Sequence, residues 1–208
     1  MRRVLVVLAC LLGAGSARAD GFYFTESFGG SDVKSQLGDY MPSAFHFRIA
    51  IGMRQGPWAL ETHLGAHIAN EEGVIKDDRP TWDRYMALTT YGLDLKYIQP
   101  LVGDHLEAYL RGGLRYGFMD DGSAIDTYAG RGLAGGAGIQ LKGKVRALGF
   151  LAWPFFFLKI GPKVTGALWL DASYSFYRLH PDGRLDAVPS IDAKLTTISG
   201  GFAIGSDF

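Results

Sequence analysis

The sequence predicts an all-β protein, an antiparallel up-and-down transmembrane β-barrel of eight strands, and three observations predict it. Segments of about ten residues alternate apolar and polar along the chain, the length a tilted strand needs to cross a bilayer. Beyond the N-terminal segment no run of eighteen uncharged apolar residues occurs, so no membrane-crossing helix is indicated. Composition agrees: 29 glycines, 13 phenylalanines, 10 tyrosines and 4 tryptophans with 20% charged residues suit strands and turns better than a disordered or helical-repeat chain. Hydrocarbon supplies no hydrogen-bond partners, so strands can span it only as a closed sheet.

Residues 1–19 read as a cleavable secretory signal. Arg2 and Arg3 precede an apolar run from Val4 to Leu12, and Ala17-Arg18-Ala19 supplies small residues for a cut after Ala19. Cys10, the one cysteine, lies inside the apolar run behind Leu8, a poor context for a lipoprotein cut. Residues 20–208 then form one domain without thiol chemistry or disulfides. The cut removes Arg2, Arg3 and Arg18 and no acid, leaving 18 basic against 21 acidic residues and a net charge of −3. Such a balance gives no basic stripe for nucleic acid.

The strands follow in order. Phe22, Phe24 and Phe28 mark a first strand over 21–29. Over 43–54, Phe45, Phe47, Ile49, Ile51 and Met53 share one face, with His46, Arg48 and Arg54 on the other. Over 58–68 the apolar face runs from Trp58 to Ile68 and the polar face holds Glu61, His63 and His67. Segment 84–98 sets Tyr91, Leu93 and Leu95 against Asp94 and Lys96; segment 105–118 sets Leu106, Leu110 and Leu114 against Glu107, Arg111 and Arg115. Segments 129–142 and 163–177 follow the same rule, the second with Asp171 on its polar side, and 195–208 supplies the last strand. A soluble sandwich also has half-buried strands, but of about five or six residues, shorter than most of these.

Connections alternate in size. Residues 29–43, 69–83, 119–128 and 178–194 are long and polar, whereas 54–57 and 99–104 are short. Outer-membrane barrels carry long outer loops and short periplasmic turns, which places both termini in the periplasm. Residues 143–162 break the pattern with the apolar run Leu148–Leu158, too short to span and interrupted by Pro154. It reads as an interfacial helix or apolar turn, or as two further strands that would make ten.

Gly200, Phe202, Ile204, Ser206 and Phe208 alternate to the last residue. With that ending and the preceding strands, the chain resembles the small outer-membrane barrels of the OmpA/OmpX type over nearly all of its mature length. The resemblance implies an outer-membrane address in a Gram-negative type of cell envelope, and a terminal assembly signal at Phe202, Ile204 and Phe208. It also implies the barrel-assembly machinery and periplasmic chaperones as partners during biogenesis, and outer-membrane lipid with lipopolysaccharide afterwards. It does not fix an activity.

If the apolar faces meet lipid, the polar faces converge on a lumen that eight strands leave just wide enough for side chains. Arg48, Glu61, Asp94, Lys96, Glu107, Arg111, Arg115 and Asp171 point there, beside His63, as a structural or gating charge network. Ions in a narrow interior need partners. Neighbouring strands suggest Glu61 with Arg48, and Glu107 with Lys96 or Arg111. Inward glycines at 113, 117, 136 and 138 leave room that Trp169 is placed to fill. His63 and His67 share a face but bring no third ligand, so no metal and no cofactor is expected. A lipid A-modifying enzyme needs a nucleophile with an activating partner near the outer leaflet, and no such motif stands out. Acidic residues from Glu71 to Asp126 in the second and third loops read first as solvated charge. The function read from the residues is therefore a non-enzymatic, monomeric envelope barrel with a plugged, charge-balanced lumen; a narrow ion or solute channel and a lipid A enzyme are the alternatives.

Overall fold

The computed structural model describes residues 21–39, 41–70, 85–120, 127–144, 164–181 and 190–206. Within them, β1 (Gly21–Lys34), β2 (Ser43–Gln55), β3 (Trp58–Asn70), β4 (Tyr85–Val102), β5 (Leu106–Asp120), β6 (Thr127–Lys144), β7 (Val164–Pro181) and β8 (Ile191–Ser206) form a closed antiparallel barrel in sequence order. A short 3-10 turn, Gln36–Asp39, follows β1. No helix among the described residues is long and apolar enough to cross a membrane.

Alternation dictates the two faces. Outward residues such as Leu110, Leu114, Leu133 and Ile198 are 61–63% exposed, while their strand neighbours Tyr109, Arg115, Thr197 and Ser199 are buried. A one-residue slip would turn every strand inside out, so this pattern pins the register. β1 closes the barrel on β8, from Tyr23 opposite Gly205 to Lys34 opposite Lys194. Closure leaves no edge with unpaired backbone groups.

Two turns at one end are tight. Gly56, at φ +57°, turns β2 into β3, and Arg54 Nε donates to its carbonyl at 2.9 Å. Gly103, at φ +53°, turns β4 into β5. A side chain at either site would strain a left-handed backbone. β4 ends irregularly, its register shifting between Pro100 and Val102, as fits a proline that lacks an N–H. Both described chain ends, Gly21 and Ser206, lie at this turn end together with the β6–β7 connection, 145–163; the β1–β2, β3–β4, β5–β6 and β7–β8 connections lie at the other.

Several strands outrun the sequence reading. β1 continues through Gly29 and Gly30 to Lys34, since a glycine pair leaves the ladder intact. β4, β6, β7 and β8 extend likewise, and the first outer connection shrinks accordingly. The ten-stranded alternative finds no place in the barrel: β6 and β7 pair directly from Tyr128–Pro181 to Lys144–Thr165, leaving no gap for two more strands. The conformation of the Leu148–Leu158 run, the signal segment, the acidic loop residues 71–78, 121 and 126, and Phe208 all lie outside the described residues.

Phe202 and Ile204 occupy outward positions of β8 yet are only 8% exposed, clustered with Phe24, Val164 and Leu168.

Candidate functional site

The lumen is built in three layers. At the turn end, Glu107 is held by Arg54 through two hydrogen bonds of 3.0 and 3.1 Å, by Lys142 at 2.8 Å and by Gln140 at 2.5 Å. A carboxylate with this many donors is satisfied in full.

The middle layer is the densest. Glu61, wholly buried, accepts from Arg48, from Lys96 at 2.6 Å and from the Tyr23 hydroxyl at 3.3 Å. Asp94, also wholly buried, accepts from Arg115 at 2.6 and 3.1 Å, Arg111 at 3.0 Å and Arg48 at 3.3 Å, and His63 Nδ1 lies 3.6 Å away. Asp171 takes a forked contact from Arg111, at 2.5 and 3.0 Å, and the Tyr109 hydroxyl at 3.1 Å. Lys96 also stands 4.9 Å from the centre of the Tyr109 ring. In this layer Glu61, Asp94 and Asp171 face Arg48, Lys96, Arg111 and Arg115, one cation in excess.

Above it, the chemistry turns neutral and then apolar. His46 and His67 lie with ring centres 4.5 Å apart, and the Ser31 hydroxyl contacts His67 Nδ1 at 2.9 Å and Thr197 Oγ1 at 2.8 Å. The outer mouth is filled by Val33, Leu37, Met41, Leu88, Met119, Tyr177, Leu179 and Leu195. Leu37 and Met41 come from the first outer connection, which bends inward; Met41 N donates to the Leu37 carbonyl at 2.9 Å. The sequence reading missed this cap because it took 29–43 as polar loop, although Leu37 and Met41 were the signal.

All eight residues of the expected charge network meet in this lumen, and the Arg48–Glu61 pair forms as anticipated. The expected pairing of Glu107 with Lys96 or Arg111 does not form. The register sets Lys96 opposite Arg111, and Glu107 opposite Pro100 and Gln140, so Glu107 lies one layer lower. Arg54 and Lys142, neither of them in the expected network, are the anchors of Glu107.

The placement of Trp169 is also corrected. A Cβ at Gly138 would come within 2.4 Å of the Tyr109 ring, and one at Gly117 within 3.0 Å of Tyr177. Tyr109 and Tyr177 fill the room those glycines leave, while Gly113 makes way for Asp94 and Gly136 for Ser173. Trp169 instead lies over Gly201, whose Cβ would meet its ring at 2.8 Å. A group of three metal-ligating side chains does not occur among the described residues.

One polar contact outside the lumen was not foreseen: at the outer rim, Ser190 Oγ and His180 Nδ1 lie 2.7 Å apart, both solvent-accessible. No carboxylate among the described residues pairs with His180 to orient it, so the contact stops short of a catalytic triad.

No protein-family model matches the chain, and no curated protein matches it in sequence. Among solved structures it is similar to Neisserial surface protein A, at 15% identity and a TM-score of 0.53, over 91% of this chain and 98% of that one. Looser likenesses are Ail of Yersinia pestis, at 13% identity and a TM-score of 0.44 over 88% and 97%, and the N-terminal β-barrel domain of Pseudomonas aeruginosa OprF, at 15% and 0.42 over 88% and 96%. The two looser scores carry no weight; the first, with the closed strand order and the apolar exterior, makes this the fold of the small eight-stranded outer-membrane β-barrels.

Proposed function

We propose that residues 20–208 form a non-enzymatic, monomeric barrel of the bacterial outer membrane, delivered by a signal cut after Ala19, whose lumen is closed to solutes. The observation that carries this is the lumen itself. Glu61, Asp94, Glu107 and Asp171 are all buried and each is bound by at least one cation, so among the described residues no lumen carboxylate is left free as an acid or base. Above them the apolar cap gives a permeating ion nothing to replace its hydration shell. The exposed apolar belt supports lipid as the surrounding solvent, with lipopolysaccharide outside and the assembly machinery and chaperones as transient partners.

The test is the mature protein reconstituted in planar bilayers. A closed lumen gives no discrete conductance steps. Regular steps that shift with Asp94→Asn would replace this reading with a narrow channel. For the enzyme alternative, mass spectra of lipid A incubated with the protein should be unchanged; a new lipid A species lost on Ser190→Ala would establish it instead.

A further inference from the structure

We propose that Arg131 and Arg178, at the outer rim of the barrel, bind the phosphate of an outer-leaflet lipid. The inference rests on the outer-membrane reading above and names one lipid partner and its site.

The two arginines stand directly opposite each other across β6 and β7, both outward and exposed. Like charges so placed repel and destabilise a sheet. Neither guanidinium makes a hydrogen bond or ion pair among the described residues, whereas the lumen arginines Arg48, Arg111 and Arg115 all hold carboxylates. Asp192 is the register partner of Arg178 on β8 but does not close an ion pair with it. Two positions beyond it lies exposed Lys194, itself opposite Lys34, whose ammonium is 3.4 Å from Asp32. His180, engaged with Ser190, flanks the site. The cluster thus keeps two guanidiniums outside any closed ion pair at the rim, a geometry suited to a forked phosphate contact.

Below the pair the surface changes from polar to apolar. Tyr116, the partner of Arg131 on β5, is 46% exposed, and Leu133 and Tyr174 are exposed on the same face. A shallow groove of ≈ 590 Å³ on this outer face is lined by Ile51, Leu64, Tyr91, Leu114 and Tyr116, and Arg131 is the outward-facing charge in its lining. Charge at the rim and an apolar groove beside it complement a phosphorylated headgroup with acyl chains. A free phosphate matches the arginines alone.

The experiment measures retention of bisphosphorylated lipid A by the mature protein in detergent micelles, using native mass spectrometry. Variants are Arg131→Gln, Arg178→Gln, their double, and Lys144→Gln at the opposite end. Each guanidinium removed should weaken retention about tenfold, as loss of a charge-assisted phosphate contact does. Lys144→Gln should leave it unchanged, lipid A lacking phosphates should be retained no better than by the double variant, and millimolar inorganic phosphate should not displace the lipid. Equal retention by the wild type and the double variant, an equal loss with Lys144→Gln, or displacement by inorganic phosphate would overturn the proposal. Gel mobility with and without boiling separates this from the parent reading: a wild type with no heat-modifiable form refutes the barrel itself, not the lipid site.

Discussion

Asp94 is the carboxylate on which the lumen turns, and its replacement by asparagine has a consequence that can be worked from the contacts. Arg48 keeps Glu61 and Arg111 keeps Asp171 when the Asp94 charge is removed. Arg115 keeps only neutral acceptors, the Leu114 carbonyl at 3.1 Å and the amide oxygen that replaces the carboxylate. One guanidinium, 7% exposed, is therefore left in the lumen without a counter-ion. Stranding a buried charge in this way costs about 3–5 kcal/mol. At about 1.4 kcal/mol per tenfold, the unfolding equilibrium should shift by roughly two to three and a half powers of ten. Equilibrium urea unfolding of barrels refolded in detergent, followed by tryptophan fluorescence, measures it. The double variant Asp94→Asn/Arg115→Gln removes the stranded cation and should recover part of the loss. The reasoning fails if Asp94→Asn unfolds with the wild type, or if the double variant is no more stable than the single one.

Other expectations follow from the faces and the packing. Leu110→Arg, outward and near mid-strand, should destabilise by about 2–4 kcal/mol if it lies at the bilayer midplane, measured by unfolding in lipid vesicles; tolerance of arginine at both Leu110 and Ile49 would mean the faces are reversed. Gly138→Ala drives a methyl group into the Tyr109 ring and should lose about 1–3 kcal/mol by overpacking. Gly112→Ala, whose methyl meets only the Ala134 carbonyl at 3.8 Å, should be near neutral in the same urea experiment. Deleting Phe208 should slow the appearance of heat-modifiable barrel in cells while leaving the urea midpoint of refolded barrel little changed; normal assembly kinetics would remove the assembly-signal claim.

The fold was legible because a barrel in lipid writes its faces into every second residue. Phe45 to Met53 on β2 and Leu106 to Phe118 on β5 alternate without interruption, and the structure follows them. Strand ends were less legible. Gly29-Gly30 resembles a loop start, yet the flanking strands hold it in the ladder because closure onto β8 extends to Lys194. The membership of the charge network could be read, since a charge on the face opposite the apolar one has only the lumen to enter. Its pairing could not. Partners such as Arg54 and Glu107 come from β2 and β5 and meet across a narrow interior, at a level set by strand stagger that one-dimensional alternation does not contain. The tyrosines over glycines escaped for the same reason: which ring lies over Gly138 depends on the direction Tyr109 takes from the next strand.

The central claim is a closed barrel with its apolar face toward lipid and its charged face toward the lumen. It is tested most directly by single cysteines placed in turn along β5, from Leu106 to Asp120, in a mature chain that has no cysteine of its own once residues 1–19 are gone. Each cysteine is labelled with a small fluorophore before refolding into vesicles that contain nitroxide-bearing lipid. Quenching should be strong at 108, 110, 112, 114 and 116 and weak at 109, 111, 113 and 115, a period of two through the strand. Quenching of opposite phase, or without any period, would contradict the account.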